Sequence, residues 1–165
     1  MARARSYLRS RPERPLSLGR IDKLVTAKLR AVDILLRGTF YEVTEQAHLR
    51  EGVISSLAII ATNPGISQNE IGAQLTIDRT TIVAVIDTLE KLGWAERRKS
   101  KEDRRRHSLQ ATPEGEAQLN RLVDAVEKIE EEMLAMVPKE DLDQLLQILD
   151  RMHASCIRYV RARES

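Results

Sequence analysis

Asp103-Arg104-Arg105-Arg106-His107-Ser108-Leu109-Gln110-Ala111-Thr112-Pro113-Glu114-Gly115 decides the reading of this chain. Just upstream lies Trp94-Ala95-Glu96-Arg97-Arg98-Lys99, a strand-like run, and downstream a helical pattern begins. Three arginines between two short extended runs predict a β-hairpin with a cationic tip, suited to a polyanion. Residues 97–107 hold seven Lys/Arg against Glu102 and Asp103, a net +5. Too few acids stand near Arg104-Arg105-Arg106 for a salt-bridged surface to account for the run.

Immediately before the hairpin, two short capped helices are expected. Ser67-Gln68-Asn69-Glu70 is a capping box that opens a helix over about 68–74, burying Ile71 and Leu75. After Leu75-Thr76-Ile77, Asp78 is an N-cap for a second helix over about 79–92, with Ile82, Val85 or Ile86, and Leu89 inward. Gly93 stops that helix at its C′ position. Two such helices joined by a tight turn predict a helix–turn–helix, and the hairpin behind it makes a winged one.

Outside this module the pattern is helical. A helix is expected from residue 17 or 18 to about 44, with Ile21, Leu24, Val25, Leu29, Val32, Leu35, Leu36, Phe40 and Val43 at three- and four-residue steps. Another covers about 51–62 and ends at Asn63-Pro64-Gly65. Near the C-terminus, Leu119, Leu122, Val126, Ile129, Met133 and Met136 form one seam; beyond Pro138, Leu142, Leu145, Leu149, Met152, Cys156 and Tyr159 form a second. These stripes exceed what one small module needs and point to a homodimer. The expected fold class is mainly α with a small β wing: a flexible basic arm over 1–17, a helical dimerisation region from 18–48 and 113–165, and a winged helix–turn–helix domain over 49–112.

Composition narrows the function. Among 165 residues, 42% are hydrophobic and 32% charged, as in an ordinary globular protein. Aromatics make up only 3%, which disfavours stacking platforms for single strands, whereas binding duplex DNA needs none. The net charge of +2 hides an asymmetry: residues 1–30 carry a net +7 and residues 113–165 a net −5. One cysteine allows neither an intrachain disulfide nor a thiolate zinc site, and no cofactor or metal is expected. His48, His107 and His153 lack metal-ligand spacing, and the scattered glycines form no phosphate loop, so an enzyme is not expected. No apolar run approaches a membrane span and no signal-peptide core follows the N-terminal arginines, so a cytoplasmic location is expected.

Long helix, core helix, helix–turn–helix, wing and two seamed helices together resemble the MarR family of bacterial transcription regulators, over about residues 18–160. The pattern D-x-R-x-x-x-L-x-L-T-x-x-G is met by Asp103, Arg105, Leu109, Thr112 and Gly115, with Ala111 where the family usually has leucine. Leu89-Glu90-Lys91-Leu92-Gly93-Trp94 and Glu96-Arg97-Arg98 are similar to the family's join between recognition helix and wing. A departure is Val83-Ala84, where relatives often carry polar residues, so base preference does not transfer.

In helix–turn–helix proteins the second helix enters the major groove by its N-terminal end. There Arg79 is suited to guanine, and Thr80, Val83 and Ala84 to thymine methyls; Thr81, Ser67 and Gln68 flank this edge. The resemblance implies that Arg105 reaches the minor groove, with Asp103 bracing the wing. Arg97, Arg98, Lys99, Arg104 and Arg106 are then expected on phosphates. It also implies a small, often aromatic or anionic effector held near the dimer helices, for which Arg30, Asp33, Arg37, Tyr41, His48 and Arg50 are the candidate polar groups. The alternatives are a winged-helix module that binds protein, and a redox sensor using Cys156, which reads as a small buried hydrophobe on its seam.

Overall fold

The computed structural model describes residues 17–44, 52–99 and 107–164, and only the backbone at 39–44, 99, 107 and 164. It falls into two compact units, Met1–Val126 and Glu127–Ser165. In chain order a 3-10 turn (Gly19–Lys23) leads to α1 (Val25–Thr44), α2 (Val53–Thr62), α3 (Gln68–Leu75) and α4 (Arg79–Lys91). The hairpin β1 (Ala95–Lys99) and β2 (His107–Ala111) follows, then α5 (Pro113–Leu134) and α6 (Lys139–Glu164). Mostly helix with a two-stranded antiparallel sheet is the architecture expected from the sequence.

The core of the first unit sits where α2, α3, α4 and β2 meet. Val53, Leu57 and Ile60 of α2 pack with Ile71 of α3, with Ile82, Val85, Ile86 and Leu89 of α4, and with Leu109 of β2. Val85 and Ile86 are both fully buried, so the inward face of α4 is wider than a single stripe. Ser56 is buried among them and its hydroxyl has no hydrogen-bond partner among the described residues.

Sequence signals at α3 and α4 act as their chemistry demands. Ser67 accepts from the Glu70 amide at 3.4 Å while the Glu70 carboxylate accepts from the Ser67 amide at 2.9 Å, so two orphan donors of the first turn are met. The turn between the helices is made by Thr76 in a left-handed conformation, φ 55°. At the far end of α4, Gly93 takes φ 71°, the reversal that residues with a Cβ resist.

Behind Gly93 lies a clasp that explains the Thr-x-x-Gly spacing. The Thr112 hydroxyl donates to the Gly93 carbonyl at 2.5 Å and accepts from the Gly115 amide at 3.0 Å. The Thr112 amide donates to the Trp94 carbonyl at 3.0 Å. Gly115 lies flat against that carbonyl: a Cβ there would stand 1.9 Å from the Trp94 oxygen. Thus the start of α5 is pinned to the end of the recognition helix, and the wing leaves from a fixed point.

Two expectations need correction. The long first helix is interrupted before α1, because Asp22 accepts from the Leu18 amide at 2.8 Å and the Ser17 hydroxyl at 3.1 Å, closing a local turn. Leu24 is then extended, with ψ 130°, and α1 starts afresh at Val25. Cys156 is exposed, not buried, among the described residues, as are Leu145 and Tyr159 on the same helix.

Candidate nucleic-acid interface

The outward face of α4 begins at its cap. Both backbone amides of Thr80 and Thr81 donate to one Asp78 oxygen, at 2.9 and 3.0 Å, and the Thr81 hydroxyl donates to the other at 2.6 Å. These bonds, led by that from the Thr81 hydroxyl, hold the Asp78 carboxyl below its ordinary value. The Thr81 hydroxyl is therefore committed to the cap although its side chain is exposed, as are those of Arg79 and Thr80 beside it. Arg79 also edges a shallow depression of about 230 Å³, shared with Asn69, Gly72, Ala73, Ile77 and Ile82. Val83 and Ala84 are half-buried on the same outward row, one turn beyond Thr80. Ser67 and Gln68, both half-buried, mark the start of α3.

The wing is anchored more widely than a hairpin alone. Register pairs Ala95 with Ala111, Arg97 with Leu109 and Lys99 with His107. Gly65 donates to the Leu109 carbonyl at 2.8 Å and Leu109 donates to the Ile66 carbonyl at 2.9 Å. The α2–α3 link thus lies along β2 like a third, two-residue strand. No sequence signal announced it, since two residues are too few to show a period.

Side chains alternate along β1 and sort its arginines. Arg97 shares the inner face with buried Ala95 and turns back on α4. Its guanidinium donates to Asp87 at 2.8 Å and to Glu90, whose second oxygen accepts from the Arg97 amide at 3.1 Å. Arg98 shares the outer face with Glu96 and is bonded to it at 2.8 Å. Asp87 is not among the residues expected from the sequence at this face, and Glu90 stands there only as part of the join to the wing. Their three-residue spacing, opposite the inward residue of the strand, is the signal that finds them.

The remaining expected residues are placed as follows. Lys99 ends β1, and Asp103, Arg104, Arg105 and Arg106 lie outside the described residues. Of the effector candidates, Arg30 is exposed on α1, where Asp33 and Arg37 form an ion pair at 2.7 Å. Tyr41 belongs to α1 by its backbone, and His48 and Arg50 lie outside the described residues. Among the described residues no group of His, Cys, Asp and Glu is arranged to hold a metal. No described helix is long and apolar enough to cross a membrane.

Two capped helices, a tight turn and a hairpin braced on the second helix define a winged helix–turn–helix protein. The MarR family model matches residues 51–107, the span from α2 to the start of β2. A putative transcriptional regulatory protein for the hcr operon of Thauera aromatica is 32% identical over 111 residues, 67% of each chain. The HTH-type transcriptional regulator PecS of Dickeya dadantii (strain 3937) is 30% identical over 132 residues, 78% of this chain and 80% of PecS. Among solved structures, the transcriptional repressor CouR bound to a 23-mer DNA duplex superposes with a TM-score of 0.76 at 29% identity, over 85% of this chain and 99% of that one. CouR bound to p-coumaroyl-CoA gives 0.72 at 27%, over 84% and 98%. The chain belongs to the MarR family: it is a transcriptional regulator with a DNA-binding winged helix, not an enzyme.

Proposed function

We propose that the protein is a cytoplasmic repressor that binds a pseudopalindromic operator as a homodimer and is released by a small aromatic or anionic effector. The observation that supports this most is the outward edge of α4. Arg79, Thr80 and Thr81 are all exposed at the first turn of the helix, the Thr81 hydroxyl is bonded to the Asp78 cap, and Ile82 is buried in the core. Inserted into a major groove, Arg79 binds guanine O6 and N7, and Thr80, Val83 and Ala84 meet thymine methyls. Arg105 at the wing tip enters the adjoining minor groove, braced by Asp103, while Arg98, Lys99, Arg104 and Arg106 contact phosphates.

Pairing of two protomers is supported by apolar side chains that stand open among the described residues. Ile21, Leu24, Val25 and Val32 are each more than half exposed around the start of α1, as are Leu146, Tyr159 and Val160 on α6. Large apolar side chains left this open favour association with another surface. A twofold pair sets the half-sites about one helical turn apart. The CouR complex with p-coumaroyl-CoA supports an anionic effector, for which Arg30 and the Asp33–Arg37 row of α1 are the candidate contacts. An effector that prefers a protomer arrangement unfit for DNA lowers operator occupancy by its differential affinity.

Fluorescence anisotropy with the promoter upstream of the gene tests this. Arg79→Ala is expected to weaken binding to that duplex by about 1–3 kcal/mol while leaving a scrambled duplex nearly unaffected. Equal losses on both refute base reading by Arg79. Monomers in sedimentation at micromolar concentration refute the homodimer.

A further inference from the structure

We infer that Arg97 is a positioning residue: it neutralises two carboxylates of the recognition helix and locks the wing to that helix, and it does not bind a DNA phosphate. The inference rests on the reading that this face meets DNA.

Asp87 stands seven residues beyond Thr80, two turns along the same outward row of α4. It is about half exposed, so unpaired it would present a negative charge toward DNA phosphates. Glu90 lies one turn further, at the foot of the wing. Both carboxylates are met by the single Arg97 guanidinium, on a side chain only 24% exposed. Glu90 adds the backbone, since it also accepts from the Arg97 amide. Three charge-assisted bonds therefore join the first half of β1 to the last two turns of α4, and they fix the angle at which the wing leaves the helix.

To reach a phosphate, Arg97 would abandon its two guanidinium bonds and leave two carboxylates unpaired beside a polyanion. Arg98 faces no such cost. Its bond to Glu96 lies on the outer face with 59% of the arginine exposed, and an exposed pair exchanges for a phosphate at little loss. Adjacent arginines thus divide the work, one holding the wing and the other binding.

Salt titrations of duplex binding by the full chain separate the two roles. Phosphate ligation makes log K steeper in log salt by about 0.9 per contact, whereas positioning changes affinity without changing the number of ions released. Arg97→Gln and Glu90→Gln are each expected to weaken binding about tenfold at unchanged slope, and their combination to weaken it no further. Arg97→Lys is expected to behave like Arg97→Gln, because an ammonium cannot span both carboxylates. Arg98→Gln is expected to flatten the slope. The inference is overturned if Arg97→Gln flattens the slope, if Arg97→Lys retains affinity, or if Glu90→Gln tightens binding by freeing the arginine. Should Arg97→Gln not fold, the sign of the Glu90→Gln effect decides alone. If the wild-type chain binds no duplex, the proposed function fails, and the brace is then judged by urea unfolding. There a coupling of about fivefold or more in the unfolding constant between Arg97→Gln and Glu90→Gln is expected, and additivity overturns it.

Discussion

Gly115→Ala sets two effects of opposite sign against each other. On helix propensity alone, alanine inside α5 gains about 1 kcal/mol over glycine. The clasp predicts the reverse. The new methyl would stand 1.9 Å from the Trp94 carbonyl oxygen and 2.7 Å from its carbon, where non-bonded carbons settle at about 3.5–4 Å. Relief requires the first turn of α5 to withdraw by more than about 1 Å, and what it must leave is backbone, not a side chain that can swing aside. Overpacking of this kind costs about 1–3 kcal/mol. Withdrawal also breaks the bonds from Thr112 to Gly93 and Trp94, each contributing about 1 kcal/mol. After the propensity gain is set against these, a net loss of about 2–4 kcal/mol is expected.

Urea unfolding followed by circular dichroism reads that loss directly. With a slope of about 2 kcal/mol per molar, typical of a small protein in urea, the midpoint falls by about 1–2 M. The same substitution also tilts the wing, so DNA affinity should drop at temperatures where the variant is fully folded. A midpoint that is unchanged, or raised as propensity alone requires, refutes the clasp. Glycine three residues after threonine would then need a different physical cause.

Other residues are expected to respond as follows. Because hydrogen bonds depress the Asp78 carboxyl, its contribution to stability is complete above about pH 4 and is lost as pH falls through the lowered folded-state value. Asp78→Asn should flatten that acid limb in urea midpoints measured from about pH 5 downward, and an unaltered limb assigns it to other acids. Ser56→Ala should raise stability by about 1 kcal/mol, since it removes a buried hydroxyl without a partner and adds a better helix former; a loss of stability would reveal a bond at that hydroxyl. Cys156 is exposed but stands alone on its helix, so hydrogen peroxide should leave DNA affinity unchanged, and a loss that Cys156→Ser abolishes would establish redox control.

What could be read from the sequence depended on the range of the interactions involved. The ends of α4 were legible because Asp78 and Gly93 act on their own helix: one caps its amides, the other makes the reversal. The Thr-x-x-Gly spacing was legible as a pattern, but its cause was not. The Trp94 carbonyl that excludes a side chain at Gly115 comes from the far side of the hairpin. The break before α1 was hidden for a different reason. Apolar steps run through it without interruption, and a polar bracket of Ser17 and Asp22 overrides them. Arg97 was expected on phosphate because charge was counted along the chain, while its partners come from α4. Arginine is a donor in every setting, and only the fold decides which acceptor it meets.

The chemistry of α4 also limits how an operator can be read. In its first two turns the polar residues are Arg79, Thr80 and Thr81, and Thr81 is held by Asp78. Two polar side chains per helix, Arg79 and Thr80, are then left for hydrogen bonds to base edges, at about 1–3 kcal/mol of discrimination each, or about 2–6 kcal/mol in all, and Val83 and Ala84 add only methyl contacts. Regulators separate their sites from bulk DNA by about 4–10 kcal/mol. One protomer reaches only the lower part of that range, and a symmetric pair doubles its contribution into it. The proposed twofold pairing therefore suits a helix so poor in polar side chains. In the proposed reading Arg105 supplies the rest, since a minor-groove arginine reads the shape of DNA that α4 leaves unread.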